Sequence, residues 1–192
     1  MLHPDNEPSA LVHDLFGELR LALNDRNHPF RFCTFCTTDS VGRPDCRMVV
    51  LRGVEKQSRL LFYTDARSRK TGQIRENPHV CLLFWHPQKQ VQLRLYGSAK
   101  LHTGNDTAAR HWETVTGGAR HDYNLLHPPG TPVDDPASGR QLRQPLDDRY
   151  FTVVVCTLFS LHALQLHADG HRAIEASAPD NGSDWIGEWI SP

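Results

Sequence analysis

The chain has 192 residues, of which 39% are hydrophobic and 22% are charged, and its formal net charge is −1. This composition fits one domain over residues 1–192 with one sizeable core. A nearly neutral chain has no general attraction to nucleic acid or to anionic membranes, so any anion site must be local. The sequence contains no apolar run close to the ~20 residues of a spanning helix and no secretory signal, so we expect a cytoplasmic protein without nucleic-acid or membrane partners.

The first part of the chain predicts a helix followed by three strands and a second helix. Within residues 1–28, apolar side chains recur at helical spacing, and Ser9 is positioned to cap the helix. Two strand-like runs follow, FRFCTFCTT and CRMVVLRGV, and the connection DSVGRPD between them is typical of a hairpin. RLLFYT predicts a third strand, and SRKTGQIREN predicts a short helix that begins at Ser68.

The second part predicts further strands around one helix and one loop. HVCLLFWH and VQLRLYGSAKLH are strand-like, and a helix is expected from Asn105 to Val115. Residues 127–149 are rich in proline and poor in large apolar side chains, which predicts a loop, and residues 150–192 predict the remaining strands. Short antiparallel strands with Greek-key-like connections and flanking helices indicate a mostly β, α+β fold built on a small barrel.

The five cysteines do not predict a metal site or a redox pair. Cys33 and Cys36 have C-x-x-C spacing, but positions i and i+3 of a strand face opposite sides, so the two thiols are not expected to meet. A second such pair, which a zinc site would need, is absent from the sequence. We therefore expect buried structural thiols and no bound metal.

The segment FYTDARSRK has the features of an anion site. Tyr63 and Thr64 end a strand, and Ser68, Arg69 and Lys70 begin a helix. Cations at a helix N-terminus oppose the helix dipole, and a bound anion removes that penalty. A phosphate monoester is favoured by this combination of charged donors, hydroxyl donors and a helix N-terminus. A solvated basic turn accounts for the same residues without a ligand.

Four motifs in order, RMVVLR, FYTDARSRK, QIRENPHVCLLFWH and QLRLYGSAKL, resemble the pyridoxamine 5'-phosphate oxidase family of FMN-binding split barrels. The resemblance covers about residues 30–101. It implies a split β-barrel, an FMN cofactor, and a homodimer with FMN in the cleft between subunits. It also implies roles for β-strand residues at the flavin, for hydroxyls and cations at its phosphate, and for a glutamine near its ring. The cofactor-binding residues on this basis are Arg47, Met48, Val49, Val50, Tyr63, Thr64, Ser68, Arg69, Lys70 and Gln92.

The substrate site departs from the family pattern. Arg52 stands where the family has a phosphate-binding lysine, which keeps the charge but changes the geometry. Arg110 and Thr114 stand where the family has a tyrosine and an arginine, and near the C-terminus only Arg172 matches. Arg52 and Arg172 are therefore the substrate candidates, and the loop at 127–149 could supply replacements for the missing groups.

The resemblance implies an FMN-dependent oxidoreductase that acts on an unidentified small molecule. A genuine pyridoxamine or pyridoxine 5'-phosphate oxidase with a rebuilt substrate site is one alternative, and a non-catalytic flavin- or haem-binding module is another. No catalytic residue is assigned. His111, His121 and His127 could reach the mouth of a flavin cleft as acid or base, but polar surface is the simpler interpretation because no partner carboxylate accompanies them.

Overall fold

The computed structural model describes residues 1–56, 58–178 and 184–192, and in these ranges the chain forms three α-helices and nine β-strands. The helices are α1 (Pro8–Asn24), α2 (Arg69–Glu76) and α3 (Asp106–Thr114). The strands are β1 (Phe32–Thr38), β2 (Pro44–Val50), β3 (Gly53–Glu55), β4 (Arg59–Asp65), β5 (His79–His86), β6 (Val91–Thr103), β7 (Phe151–Gln165), β8 (Arg172–Ser177) and β9 (Ile186–Ile190).

All strand pairs are antiparallel, in the order β2-β1-β5-β6-β7-β4-β3, and β8 lies between β7 and β9. The long strand β7 pairs with β4 through its first half and with β8 through its second half. A register shift beside Gly97 bends β6 where it pairs with the middle of β7, between the two halves. A Cβ at Gly97 would lie 2.6 Å from the carbonyl oxygen of Thr157, so glycine permits the close approach that curls the sheet.

The main core fills the concave side of this sheet, and α1 covers it. Leu11, Leu15 and Leu19 of α1 are buried at helical spacing. Inside the sheet, the rings of Phe35 and Phe62 meet edge to face with centroids 5.4 Å apart. A second, smaller cluster packs α3 against β4 and β7, so α3 is fixed beside the end of β4.

The predicted mostly β, α+β fold is confirmed, with local corrections. Ser9 does not cap α1, because the helix begins at Pro8 and the Ser9 hydroxyl accepts a hydrogen bond from the backbone N–H of Gly187 instead. The run CRMVVLRGV is not one strand. It breaks after Val50, because the backbone N–H of Arg52 donates to the carbonyl of Leu61.

Two further observations concern the cysteines and the helices. The expectation of buried thiols holds for Cys33 and Cys156, but Cys46 is exposed and Cys36 and Cys81 are half-buried. The last three lie on the outer face of the sheet, away from the core. Among the described residues, none of the helices has the length and apolar character needed to cross a membrane.

Candidate functional site

The hydroxyl and cationic residues of FYTDARSRK meet where β4 ends and α2 begins. The Lys70 ammonium donates to Thr64 Oγ1 at 2.8 Å and lies 3.4 Å from Ser68 Oγ. Both hydroxyl residues are buried, and their oxygens are 3.2 Å apart. Burial lowers the pKa of Lys70, and the nearby charge of Arg47 lowers it further. A ligand with negative charge would stabilise this ammonium.

Arg47 joins the group from the core-facing side of β2. Its guanidinium donates to the carbonyl of Phe35 at 3.1 Å and to Thr37 Oγ1 at 2.7 Å. Asp45, two residues earlier on the same face, lies 2.7 Å from Arg47 and 3.6 Å from Arg69. A hydrogen bond from Gln73 and the two guanidinium charges hold the pKa of Asp45 below its usual value, although partial burial opposes them.

The charge balance and the helix end suit a phosphate monoester. Arg47, Arg69 and Lys70 outnumber the Asp45 carboxylate by two charges, a surplus that matches a phosphate dianion. The Ser68 side chain makes no capping hydrogen bond to α2, so the first N–H groups of the helix remain available to an anion. We name this set of five residues (Arg47, Thr64, Ser68, Arg69 and Lys70) the cationic cluster.

The turn that carries the cationic cluster is held by a buried ion pair. Arg67 Nη2 lies 2.7 Å from Asp65 Oδ2, and Arg67 Nε lies 3.0 Å from Asp65 Oδ1. The backbone N–H of Arg67 also donates to Asp65 Oδ1 at 2.8 Å. On the far side, Arg67 donates to the carbonyl of Leu125 at 2.9 Å and stacks on the ring of Tyr150 at 3.9 Å. This pair links β4 to two distant segments.

The free edge of β2 offers backbone groups to a planar ring. In the described part of the chain, β2 pairs only with β1, so the outer edge of residues 47–50 has unpaired N–H and C=O groups. Val49 packs against the core, whereas Met48 points to the outer face and is exposed. An apolar surface with backbone donors and acceptors beside it is what a flavin ring requires.

Tyr63 lies apart from the cationic cluster. Neighbouring side chains on a strand point to opposite faces, so Thr64 faces Lys70 while Tyr63 faces α3. The Tyr63 hydroxyl lies 2.9 Å from His111 Nδ1. Burial lowers the pKa of His111. From the sequence, His111 is only a candidate at the mouth of the cleft, because its pairing with Tyr63 depends on the packing of α3.

Gln92 and Arg172 are also not beside the cationic cluster within one chain. Gln92 alternates with the buried Leu93 and therefore lies on the outer face of the sheet, opposite to Arg47. Strands β1 and β5 separate it from β2. Arg172 lies on β8, where its guanidinium donates to the carbonyl of Leu2 at 3.2 Å.

Arg52 lines a cavity of about 380 Å³ beside Tyr63. Its guanidinium lies 5.6 Å from the centre of the Tyr63 ring. Arg26 and Arg31, both from the segment between α1 and β1, line the same cavity, and its described lining includes no carboxylate. The cavity therefore favours an anionic group. The other described lining residues are Leu23, Leu51, Thr114, Val115, Thr116, Ala119 and Tyr123.

A cluster of Glu18, His28 and His86 has the spacing of metal ligands but the hydrogen bonding of a structural network. The three ligand atoms lie within 4.8 Å of one another. However, Nδ1 of His28 accepts the backbone N–H of Phe30, and Nδ1 of His86 accepts that of Lys89. With Nδ1 accepting a hydrogen bond, each ring has its proton on Nε2, and neither nitrogen is left for a metal; a metal-binding histidine instead donates its second ring N–H to a neighbouring acceptor. The Lys89 ammonium already pairs with Glu18 at 2.5 Å.

The fold and the cationic cluster are similar to those of FMN-binding split-barrel domains, and comparison with known proteins gives the same likeness. Residues 16–103 match the family described as pyridoxamine 5'-phosphate oxidase, FMN-binding domain. The match covers less than half of the chain, it agrees with the resemblance of the four motifs, and the matching domain is one that binds FMN. The cationic cluster and the β2 edge fit its phosphate and its ring.

Curated relatives include pyridoxine/pyridoxamine 5'-phosphate oxidases of two bacteria. The Legionella pneumophila protein is 40% identical over 96 residues, which are 50% of this chain and 43% of that protein. The Leptospira interrogans protein is 43% identical over 65 residues, which are 34% of this chain and 30% of that protein. The chain spans less than half the length of these relatives.

Two solved structures share the fold along nearly the whole chain. A pyridoxamine 5'-phosphate oxidase-related, FMN-binding protein from Nostoc punctiforme has a TM-score of 0.77 at 23% identity, covering 100% of both chains. PhzG from Burkholderia lata, solved with tetrahydrophenazine-1-carboxylic acid, has a TM-score of 0.73 at 17% identity, covering 98% of this chain and 94% of that chain. The predicted split-barrel fold is thereby confirmed.

Proposed function

We propose that this protein is an FMN-dependent oxidoreductase whose substrate is a small molecule with an anionic group. The observation that carries the proposal is the pairing of two cationic sites along one segment. Residues 47–52 connect the cationic cluster to the arginine-lined cavity. The cationic cluster suits the phosphate of FMN, and the cavity can then bind a second anion. A module that only stored flavin would not need the second site.

Each part of the site has a distinct role in this proposal. When bound, FMN supplies two-electron transfer to and from the substrate. The cationic cluster holds the FMN phosphate, and the β2 edge orients the ring. Arg26, Arg31 and Arg52 bind the anionic group of the substrate through charge-assisted hydrogen bonds. Tyr63 lines the cavity, and its hydroxyl is hydrogen-bonded to the neutral His111 ring. In this proposal the Tyr63–His111 pair holds a proton during the reaction.

We expect the protein to be a poor pyridoxamine 5'-phosphate oxidase, because Thr114 lines the cavity where the family has an arginine. The assay is aldehyde formation from pyridoxamine phosphate by FMN-saturated protein. A kcat of about 1 per second or more, typical of an enzyme on its own substrate, would establish the genuine oxidase instead.

A panel of anionic reductants tests the wider proposal of an oxidoreductase with an anionic substrate. With any active donor, Arg52→Ala is expected to raise KM at least about tenfold without loss of bound FMN. Bound flavin that no donor reduces would favour the non-catalytic module.

We also propose that the active form is a homodimer. Gln92 cannot reach the cationic cluster of its own chain, and the exposed Trp85 and Phe32 lie on the same outer face as Gln92. A two-fold interface over this face would give two equivalent sites and bring each Gln92 to the partner's flavin.

Light scattering of the FMN-bound protein should give twice the chain mass of 21.8 kDa. Trp85→Glu, a change on an exposed position, should shift the protein toward the monomer and release FMN. The exposed Leu21→Glu on α1 is the matched control, and it should leave the dimer intact. A wild-type monomer that retains FMN would exclude the cleft between subunits.

A further inference from the structure

Three cysteines form a row across neighbouring strands on the outer face of the sheet. Cys36 of β1 stands directly opposite Cys46 of β2 on one side and Cys81 of β5 on the other. Directly opposed residues of an antiparallel pair project to the same face. The row lies four residues, about 13 Å, along the strands from the apolar pair Phe32 and Trp85.

Cys36 and Cys46 are already in contact, whereas Cys81 is engaged elsewhere. The sulfurs of Cys36 and Cys46 are 2.8 Å apart. Cys81 stands directly opposite Tyr96 of β6 on its other side. Opposed residues have Cα atoms ~4.5–5.5 Å apart, within the ~4.4–6.8 Å that a disulfide spans. The bridge can therefore close without movement of the backbone.

A metal is not the favoured ligand of this row. Among the described residues, the three sulfurs do not form a set of ligand atoms that lie mutually within 4.8 Å. Two sulfurs at 2.8 Å also leave no space for an ion between them. Thiol–disulfide chemistry needs only the two opposed thiols.

We propose that Cys36 and Cys46 are a redox-active dithiol that reacts with small disulfides such as glutathione disulfide. The exposed Cys46, as thiolate, attacks one sulfur of the small disulfide and releases one thiol. Cys36 then attacks the Cys46 sulfur, releases the second thiol and closes the cross-strand bridge. The protein loses two electrons and two protons, and both are recovered in the two thiols of the reduced co-reactant.

The surroundings of the two sulfurs give the order of these steps. Burial and the hydrogen bond with Cys46 raise the pKa of Cys36 to about 12, so Cys36 is protonated at neutral pH. Cys46 is exposed and meets the co-reactant first. The dithiol lies in the strand pair that carries Arg47, but its reaction does not depend on FMN or on the function proposed above.

The test is to map disulfides after incubation of the reduced, FMN-loaded protein with glutathione disulfide. Free thiols are alkylated in acid, and the chain is cleaved on the amino side of aspartate, because Asp39 and Asp45 then separate Cys36 from Cys46. A Cys36–Cys46 link that dithiothreitol reverses is expected. Two free thiols, glutathione adducts without closure, or a link from Cys36 to Cys81 would each overturn the proposal.

Serine variants separate the roles of the three sulfurs. Cys36→Ser should trap glutathione on Cys46, because the second step is lost. Cys81→Ser should form the Cys36–Cys46 bridge at the wild-type rate, and a fall of tenfold or more would assign the reaction to Cys81 instead. The buried Cys33 and Cys156 serve as internal controls, since their alkylation reports unfolding. If Cys36→Ser does not fold, the wild-type map and the Cys81→Ser rate still decide.

Discussion

Replacing both Arg69 and Lys70 by alanine is expected to weaken FMN binding by about a hundredfold or more, since each charged hydrogen bond contributes ~1.5–3 kcal/mol and each 1.4 kcal/mol is a factor of ten. Lys70 is half-buried against Thr64 and Ser68, so its loss removes a donor that water cannot replace. Riboflavin has no phosphate, and its affinity should change little. Fluorescence titration with both flavins measures the difference.

Arg75→Ala is the matched control for this double variant. Arg75 is an exposed cation at the opposite end of α2, so its removal tests whether general charge alone attracts FMN. It should leave both flavin affinities nearly unchanged. Equal losses for FMN and riboflavin in the double variant would show that Arg69 and Lys70 do not contact the phosphate. If Arg75→Ala lost as much FMN affinity as the double variant, the attraction for FMN would come from general charge and not from the cationic cluster.

The parts of the site that are local in sequence could be predicted from it. Ser68, Arg69 and Lys70 follow a strand within one short segment, and the signals for the start of a helix act over the same distance. The strand and the helix therefore place the hydroxyls and cations together without the help of a tertiary contact. The resemblance to FMN-binding domains then indicated FMN as the ligand, which the residue types alone left open.

The parts that depend on tertiary contacts could not be predicted. Gln73 of α2 reaches Arg47 of β2 only through the packing of the helix against the sheet, and Arg26 and Arg31 meet Arg52 only because α1 and the segment after it fold over the sheet. No local pattern encodes such meetings. The C-x-x-C spacing drew attention to Cys33 and Cys36, but strand register pairs Cys36 with Cys46 instead.

The break after β2 has the same origin. The run CRMVVLRGV has continuous strand propensity, yet its backbone changes partners between Leu51, which still bonds to the residue before β1, and Arg52, which bonds to β4. Leu51 donates to the carbonyl of Arg31, and Arg52 donates to that of Leu61. These hydrogen bonds join Leu51 and Arg52 to two different segments of the chain, and they override the local preference. As a result, Arg52 points to the cavity and not along β2.

Arg67→Ala is expected to reduce the free energy of unfolding by about 3 kcal/mol, the lower end of the ~3–5 kcal/mol for loss of one partner of a buried ion pair. Asp65 is 3% exposed in its side chain, so its carboxylate would be left charged without its main donor. Arg67→Lys should recover only part of the loss, because an ammonium cannot reproduce the two-pronged contact with Asp65 and the stack on Tyr150. Urea denaturation of the three proteins measures these differences.

A second ion pair, which is exposed, tests whether burial is the reason for the loss of stability expected in Arg67→Ala. Arg149 pairs with Asp147 at 3.6 Å, but its side chain is 62% exposed, so Arg149→Ala should cost no more than ~1 kcal/mol. Similar losses for Arg67→Ala and Arg149→Ala would mean that the Asp65 pair does not fix the turn. If the pair does fix it, Arg67→Ala should also weaken FMN binding at a temperature where the variant remains folded. Arg67 is outside the cationic cluster, and it acts there only by holding the segment that joins Thr64 to Ser68 and Lys70.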